Sequence, residues 1–216
     1  MKAYQIKIGL ADSDPLIWRR AVIPADITFK RLHDTIQFAM AWLDYHLYEF
    51  EFSQEKLRIT NDEESYEEFK YYAAKYKNKK PTKKEDPYGN ITKIIETTIR
   101  QPQTVKIDKY LEKYKIIDYI YDFGDYWQHK IELETTIDNY EYGYPTILEG
   151  ECACPPEDVG GIGGYKEFLI AWNDPNHPEH EDMLKWGESQ HYRKFDIDIR
   201  NDILKACLKI KKVNGH

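Results

Sequence analysis

The sequence predicts an α+β fold, in which antiparallel strand pairs are interrupted by helices. Two observations lead to this prediction. Segments with alternating apolar residues come in pairs joined by short turns, as in hairpins. Segments with helical periodicity do not follow each strand in turn, so the regular βαβ pattern of a parallel sheet is missing. The chain has 216 residues, which suits a single domain, and we assign residues 1–216 to one.

The first strand pair lies at the N-terminus. Ala3–Leu10 alternates apolar and polar residues, and Leu16–Ile23 follows after a turn. We therefore predict a hairpin. Arg19 and Arg20 fall on opposite faces of its second strand, and we expect both to form surface ion pairs.

Thr28–Leu43 is the clearest helix, because its apolar residues form one stripe at helical spacing and Thr28 can cap its start. His46–Phe52 then alternates as a strand. The next region, residues 55–103, is predicted to be an insertion. It contains an acidic helical segment at Glu63–Ala74, a run with seven lysines over residues 70–84, and a helical segment at Ile91–Ile99.

The second half begins with a predicted hairpin and ends with three predicted helices. The hairpin joins Lys115–Asp122 to Trp127–Ile137, and a loop or short strand follows at Tyr140–Leu148. The helices are Tyr165–Trp172, a segment that starts at Pro178 and ends at Gly187, and Ile199–Ile210, which is capped by Asp198 and buries Cys207.

Net charge and cysteine content predict the type of partner and the cellular compartment. The net charge of −7 argues against a general nucleic-acid-binding surface, so a protein partner is the better prediction. Three cysteines, an odd number, indicate reduced thiols in a cytoplasm. We find neither an apolar signal region nor a run of about 20 apolar residues, and predict no membrane association.

Two dense stretches stand out as candidates for function. Gly150–Tyr165 reads GECACPPEDVGGIGGY, and Tyr121–His129 reads YDFGDYWQH. Prolines fix the direction of the cysteine and carboxylates in the first stretch. We expect the two stretches to touch.

One hypothesis for these stretches is a nucleophilic cysteine. Cys154 would act with His129 as its base, and four acids are available to orient the histidine: Asp122, Asp125, Glu157 and Asp158. Acids beside a thiol raise its pKa, however, which opposes this role. The alternative is that the acids bond to backbone donors of the following glycine loop.

A metal or another ligand is a further possibility for these stretches and for the histidines that follow them. We predict no cofactor; the alternative is zinc held by Cys152, Cys154, His177 and His180. A hard cation such as Mg²⁺ would instead use Asp122, Asp125, Glu157 and Asp158. Four residues are candidates for contact with another ligand: Trp127, Gly160, Gly161 and Tyr165.

Taken in order, the motifs resemble those of the plasmid pRiA4b ORF-3-like proteins. The matching segments are WRRAVIP, TFKRLHDTIQFAMAWLDYHLYEF, YDFGDYWQHKIELE, GECACPPEDVGGIGGYKEFL, DPNHPEHEDMLKW and FDIDIRNDIL. The resemblance implies an antiparallel, barrel-like sheet. It also implies that the positions characteristic of the family lie within Asp122–His129 and Cys154–Tyr165. The chain has His46-Leu47-Tyr48 where the family often has His-Leu-His, and Cys152 stands at a position that varies.

The family resemblance implies a genetic context but no established activity. Such proteins are found on plasmids, as passengers of insertion elements, and in chromosomes. We therefore predict a non-enzymatic interaction module accessory to a mobile element. The alternative is a hydrolase or transferase with a pocket formed by the two dense stretches.

Overall fold

The computed structural model describes residues 1–209. Over that range the chain forms one mixed layer of strands with helices packed on it. The strands are β1 (Ala3–Leu10), β2 (Trp18–Pro24), β3 (Tyr48–Phe52), β4 (Leu57–Thr60), β5 (Thr98–Arg100), β6 (Ile116–Tyr121), β7 (Trp127–Ile137) and β8 (Thr146–Glu151). The α-helices are α1 (Phe29–Met40), α2 (Glu63–Lys75), α3 (Asn90–Glu96), α4 (Asp108–Tyr114), α5 (Gly161–Asn173), α6 (His180–Ser189) and α7 (Ile197–Leu208).

All eight strands belong to a single sheet with the order β5-β4-β3-β6-β7-β1-β2-β8. Every neighbouring pair is antiparallel except β4 and β5, which run parallel. The predicted α+β fold with a mostly antiparallel sheet is confirmed. The sheet is open, with β5 and β8 as its edges, and does not close into a barrel.

The core fills one face of this sheet with aromatic side chains. In β1, Tyr4, Ile6 and Ile8 are fully buried, as the alternation predicts. Helix α1 lies over the same face, where Phe29 packs on Phe50 with ring centroids 4.9 Å apart. The predicted cap of α1 is confirmed, since Thr28 accepts a hydrogen bond from the Arg31 amide at 3.3 Å.

Arg19 and Arg20 have different surroundings, although the sequence predicts surface ion pairs for both. Arg20 pairs with Glu134 and Glu149 as expected. Arg19 is 1% exposed and donates to four backbone carbonyls, those of Trp18, Ala39, Glu151 and Cys152. Its guanidinium also lies 3.7 Å from the centre of the Phe195 ring. The prediction for Arg19 is wrong because backbone oxygens, which a sequence pattern does not reveal, replace the carboxylate.

Several element boundaries differ from the predictions. The helix predicted at Ile91–Ile99 ends at Glu96, and Thr98–Arg100 becomes β5 because it pairs with β4 and buries Ile99. Helix α4 was not predicted, since its seven residues bury only Leu111. The uncertain segment before Gly150 is a strand, β8, which extends to Glu151.

The three C-terminal helices are confirmed, with corrections at their ends. Helix α5 begins earlier than predicted, at Gly161, and α7 is capped by Asp196 instead of Asp198. Cys207 is exposed, because the buried stripe of α7 runs through Leu204 and Leu208 instead. The predicted end of this last helix, Ile210, lies outside the described residues.

Helix α6 starts at His180, two residues after Pro178, and Gly187 lies inside the helix instead of ending it. The reason is close packing against α5. A Cβ atom at Gly187 would lie 2.4 Å from Cζ3 of Trp172 and 3.1 Å from Cζ of Phe168. The glycine is therefore required by the contact between α5 and α6. Among the helices of residues 1–209, none has the length and hydropathy to span a bilayer.

The contact at Gly187 gives a paired test of helix packing. Gly187→Ala should destabilise the protein by about 1–3 kcal/mol, because the added methyl overpacks the contact with Trp172. Gly163→Ala is the matched control. This glycine is also helical, but a Cβ there meets nothing within 4 Å, so the substitution should stabilise by about 0.5–1 kcal/mol. Urea unfolding measures both, and equal effects would contradict the packing described.

Candidate functional site

The two dense stretches meet, as predicted, through a buried carboxylate. Glu157 is 8% exposed and lies in the loop that precedes α5. Its Oε1 accepts a hydrogen bond from the hydroxyl of Tyr121 at the end of β6. Its Oε2 accepts one from the amide of Leu43 at 3.1 Å, in the loop after α1. Glu157 therefore joins three separate chain segments.

Further contacts fix the loop at residues 155–161 against the β6–β7 hairpin. Asp125 accepts a hydrogen bond from the amide of Gly160 at 3.1 Å. Gly161 has a φ of 67°, and a Cβ there would lie 2.7 Å from the carbonyl oxygen of Asp125. The indole of Trp42 donates to the carbonyl of Pro155 at 3.0 Å. These contacts pack the loop at residues 155–161 directly against the hairpin.

His129 lies inside the core. It is 1% exposed, and its Nδ1 bonds to the carbonyl of Trp127 at 3.0 Å. Within residues 1–209 its Nε2 has no hydrogen-bond partner. Burial lowers the pKa of His129 to about 3, so the ring stays neutral at physiological pH.

The Cys154 thiol forms no hydrogen bond with His129. Burial raises the pKa of Cys154 to about 12; Arg19 acts in the opposite direction, and Glu157 adds a smaller rise. This is the direction that the sequence predicts for a thiol beside acids. At neutral pH the thiol therefore stays protonated, whereas nucleophilic attack requires the thiolate. The arrangement places a stable thiol, not an activated one, beside the loop.

The four residues proposed to contact another ligand have mainly internal contacts. Trp127 is fully buried. Tyr165 is 6% exposed, and its hydroxyl lies 3.3 Å from the Ala153 carbonyl and 3.0 Å from the Tyr192 hydroxyl. Gly161 is buried in the first turn of α5, and only Gly160 faces solvent.

The proposed metal ligands are occupied in other ways. His180 bonds to the Ala171 carbonyl at 2.7 Å, and His177 accepts from the Glu179 amide at 3.2 Å. Within residues 1–209, neither histidine joins Cys152 or Cys154 in a group of three converging ligand atoms. The set proposed for Mg²⁺ also separates, because Asp125 and Glu157 bond to protein donors.

A different group converges at the same junction and includes a residue that sequence reasoning missed. Nε2 of His46 lies 3.4 Å from Oδ1 of Asp158 and 3.7 Å from Oδ2 of Asp122. The three residues, called the His46 cluster here, come from the α1–β3 loop, the end of β6 and the loop before α5. The one available signal was the histidine that begins His46-Leu47-Tyr48.

A second converging group, His33 with Asp34 and Asp44, has internal partners. The His33 ring is fully buried and bonds to the Tyr119 hydroxyl at 2.8 Å and to Asp44 at 2.7 Å. It also stacks on Tyr48 with ring centroids 3.5 Å apart. Both ring nitrogens are therefore satisfied by the protein itself, and the group anchors α1 on the sheet.

Comparison with known proteins places this arrangement in a family. The profile of the family described as "Plasmid pRiA4b ORF-3-like protein" matches residues 2–201. The chain is 32% identical over 188 residues to the uncharacterized protein y4hQ of Sinorhizobium fredii, a match that covers 87% of this chain and 82% of the relative. It is also similar to the crystal structure of MM3350, a protein of unknown function from Methanosarcina mazei Go1. That match has a TM-score of 0.67 and 32% identity, and covers 91% of this chain and 96% of the other.

The chain belongs to the plasmid pRiA4b ORF-3-like family, as its motifs predict. The profile runs through residues 55–103, and part of that region, β4 and β5, joins the main sheet. The description of residues 55–103 as an insertion stays a prediction. The relatives named here are of uncharacterised or unknown function, so the function must be argued from the site.

The state of Cys154 can be tested by alkylation of the native protein with iodoacetamide at pH 7.5. Exposed Cys207 should react at least about tenfold faster than Cys154, because Cys154 is desolvated and its thiol stays protonated. Peptide mapping by mass spectrometry gives the separate rates, and denatured protein serves as the control in which the two should converge. If Cys154 reacted first in the native protein, the assignment of an unactivated thiol would fail.

Proposed function

We propose that this protein is a non-enzymatic interaction module that binds a partner protein through an apolar rim around the motif junction. The apolar rim consists of Leu43, Tyr45, Leu47, Phe123 and Tyr126. Their exposed fractions are 55%, 73%, 42%, 39% and 52%. This concentration of large exposed apolar side chains on two neighbouring loops is the observation that carries the proposal, because such surfaces mark interaction sites.

The two rim loops are held beside each other by direct bonds. The amide of Asp122 donates to the carbonyl of Leu47 at 2.9 Å, and the amide of Tyr45 donates to the hydroxyl of Tyr121 at 3.1 Å. The same hydroxyl bonds to Glu157. A rim with fixed loops loses little conformational entropy when a partner binds, which favours recognition.

Charge around the rim supports a protein partner over a nucleic acid. Asp44, Asp125 and Asp158 lie in or beside the rim loops, and the whole chain carries a net charge of −7. Carboxylates repel phosphate groups, and contacts with the phosphate backbone dominate the affinity of proteins for nucleic acids. The exposed apolar side chains of the rim are better matched by an apolar surface on a partner protein.

The alternative, a hydrolase or transferase that uses His129 and Cys154, has weaker support. Its base and nucleophile are not bonded to each other, and the thiol is protonated at neutral pH. A cavity of about 720 Å³ is lined by Met1, Tyr4, Asp108 and Glu112 and by none of the motif residues. His129 and Cys154 border two different cavities, of about 290 and 30 Å³, so neither cavity holds both groups. A catalytic pocket normally gathers its reactive groups in a concave site.

The proposal also covers the genetic origin of the partner and the compartment in which the two proteins meet. Because the chain resembles proteins carried on plasmids and insertion elements, we propose that the partner is encoded by such an element. Cys152, Cys154 and Cys207 are all free thiols. Free thiols support a reducing compartment, and the proposed location is the cytoplasm.

The rim can be tested by removal of two exposed tyrosines. Tyr45→Ser combined with Tyr126→Ser should weaken binding of the partner by at least about tenfold, since aromatic anchors dominate interface energies. The control combines Tyr71→Ser with Tyr88→Ser, which removes two tyrosines that are 60% and 85% exposed and lie outside the rim. Affinity capture from extracts of the native host identifies the partner, and titration with the purified partner measures each variant.

The expected result is normal binding by the control pair and a loss confined to the rim pair. If the rim pair bound the captured partner as tightly as the unaltered protein, the rim would not be the contact surface. If no partner were retained by the unaltered protein, the proposed interaction role would be contradicted.

A further inference from the structure

We propose that the His46 cluster is a binding site for a divalent transition-metal cation of the zinc class. The cluster brings one imidazole nitrogen and two carboxylate oxygens within 4.8 Å of one another. These atom types are the ones that zinc selects, together with thiolates. The site is separate from the four residues, Cys152, Cys154, His177 and His180, that the sequence suggested for zinc.

The distances within the His46 cluster suit a small cation. Bonds of about 2.0–2.1 Å in a tetrahedral site separate neighbouring ligands by about 3.3–3.4 Å. Nε2 of His46 lies 3.4 Å from Oδ1 of Asp158, which matches this edge, and 3.7 Å from Oδ2 of Asp122, which is slightly wider. A small rotation of either side chain closes the difference. The ligand oxygens of the two aspartates lie within 4.8 Å of each other.

The second observation is the state of the His46 nitrogen. The His46 side chain is 26% exposed, but its Nε2 is withdrawn from solvent and has no hydrogen-bond partner within residues 1–209, although it faces both carboxylates. A buried polar atom without a partner carries a desolvation cost. The ring also packs edge-on against Tyr121, with centroids 5.8 Å apart, which holds the nitrogen toward the acids. A cation shared with the two carboxylates would satisfy this lone pair.

Both acids are presented by backbone that the junction holds in place. Asp122 and Asp158 have φ values of 58° and 59°, in the left-handed region. Oδ1 of Asp122 accepts from the Gly124 amide at 2.8 Å, which leaves Oδ2 turned toward His46. Asp158 follows directly after Glu157, whose carboxylate is buried against Tyr121 and Leu43. The cluster is thus preorganised by contacts that do not involve the cation.

The ligand types decide which cation fits. A histidine nitrogen among the ligands favours zinc and similar transition metals over Mg²⁺ or Ca²⁺, which take oxygen ligands. Three protein ligands leave a fourth position open. The Asp158 side chain is 73% exposed, so a cation can reach the cluster from solvent. The inference does not depend on the proposed partner protein, because the cation would bind the isolated chain.

The test is calorimetric titration of ZnCl₂ into the full chain, after tag removal and dialysis against a chelator. The expected result is one Zn²⁺ per chain. Each of His46→Asn, Asp122→Asn and Asp158→Asn should weaken the affinity at least tenfold. Asparagine tolerates the left-handed backbone at both aspartates and keeps the Gly124 bond. His191→Asn and Asp174→Asn are matched controls outside the cluster and should leave binding unchanged.

A second readout separates loss of the cation from loss of the fold. Zn²⁺ should raise the melting temperature of the unaltered protein and of both controls, but not of the three cluster variants. Asp158→Asn lies at the surface and should fold normally, so it gives an interpretable result even if His46→Asn does not fold. MgCl₂ at the same concentration should produce no comparable shift.

Three outcomes would overturn the proposal. One is Zn²⁺ binding of unchanged affinity in Asp158→Asn and Asp122→Asn. Another is binding that survives in the cluster variants but is lost in a Cys152→Ser and Cys154→Ser double variant, which would place zinc at the cysteines. The third is folded protein that shows no heat of binding and no shift in melting temperature with millimolar ZnCl₂.

Discussion

The buried carboxylate of Glu157 is the constraint on which the candidate site depends. One side chain accepts hydrogen bonds from β6, through Tyr121, and from the loop after α1, through the Leu43 amide. Burial of a carboxyl group costs free energy unless its oxygens accept hydrogen bonds. The bonds therefore fix the relative positions of three segments that are far apart in sequence. Those segments carry the apolar rim and the His46 cluster.

Because of this constraint, many of the residues that mark the family are buried at the junction. Trp127, His129 and Tyr165 are core residues, and Gly161 allows the loop to approach the Asp125 carbonyl. Their density in the sequence is explained by close packing at one junction. The side chains available to a ligand or partner include exposed motif residues such as Asp158, and residues of the neighbouring α1–β3 loop such as Tyr45 and His46. Buried motif residues here build the support for both.

The sequence predicted those features that depend on local pattern. Alternation placed β1 and the β6–β7 hairpin, and helical spacing placed α1 with Thr28 as its cap. Composition alone predicted that the two dense stretches touch. Short elements such as β5 were missed because three residues carry no periodicity, and their structure comes from pairing with β4.

Features that depend on distant backbone atoms could not be predicted in this way. The burial of Arg19 follows from carbonyl oxygens of α1 and β8, which no residue type signals. The His46 cluster likewise depends on two aspartates that lie 76 and 112 positions further along the chain. Sequence reasoning named Cys154 as a candidate nucleophile because the motif is dense there, and set against it the bonding of the acids to backbone donors. His46 lies in a loop outside the dense stretches and was not among the candidates.

Amide hydrogen exchange, measured by NMR, tests the role of Glu157 most directly. The amides of Leu43 and Tyr45 lie in a loop whose side chains are exposed, so without the junction they would exchange rapidly. We expect both to be protected by at least about tenfold, and Glu157→Gln to reduce that protection because one oxygen acceptor is lost. The Gly124 amide, held by Asp122, should be unaffected. Fast exchange of Leu43 and Tyr45 in the unaltered protein, or equal protection in Glu157→Gln, would contradict the account.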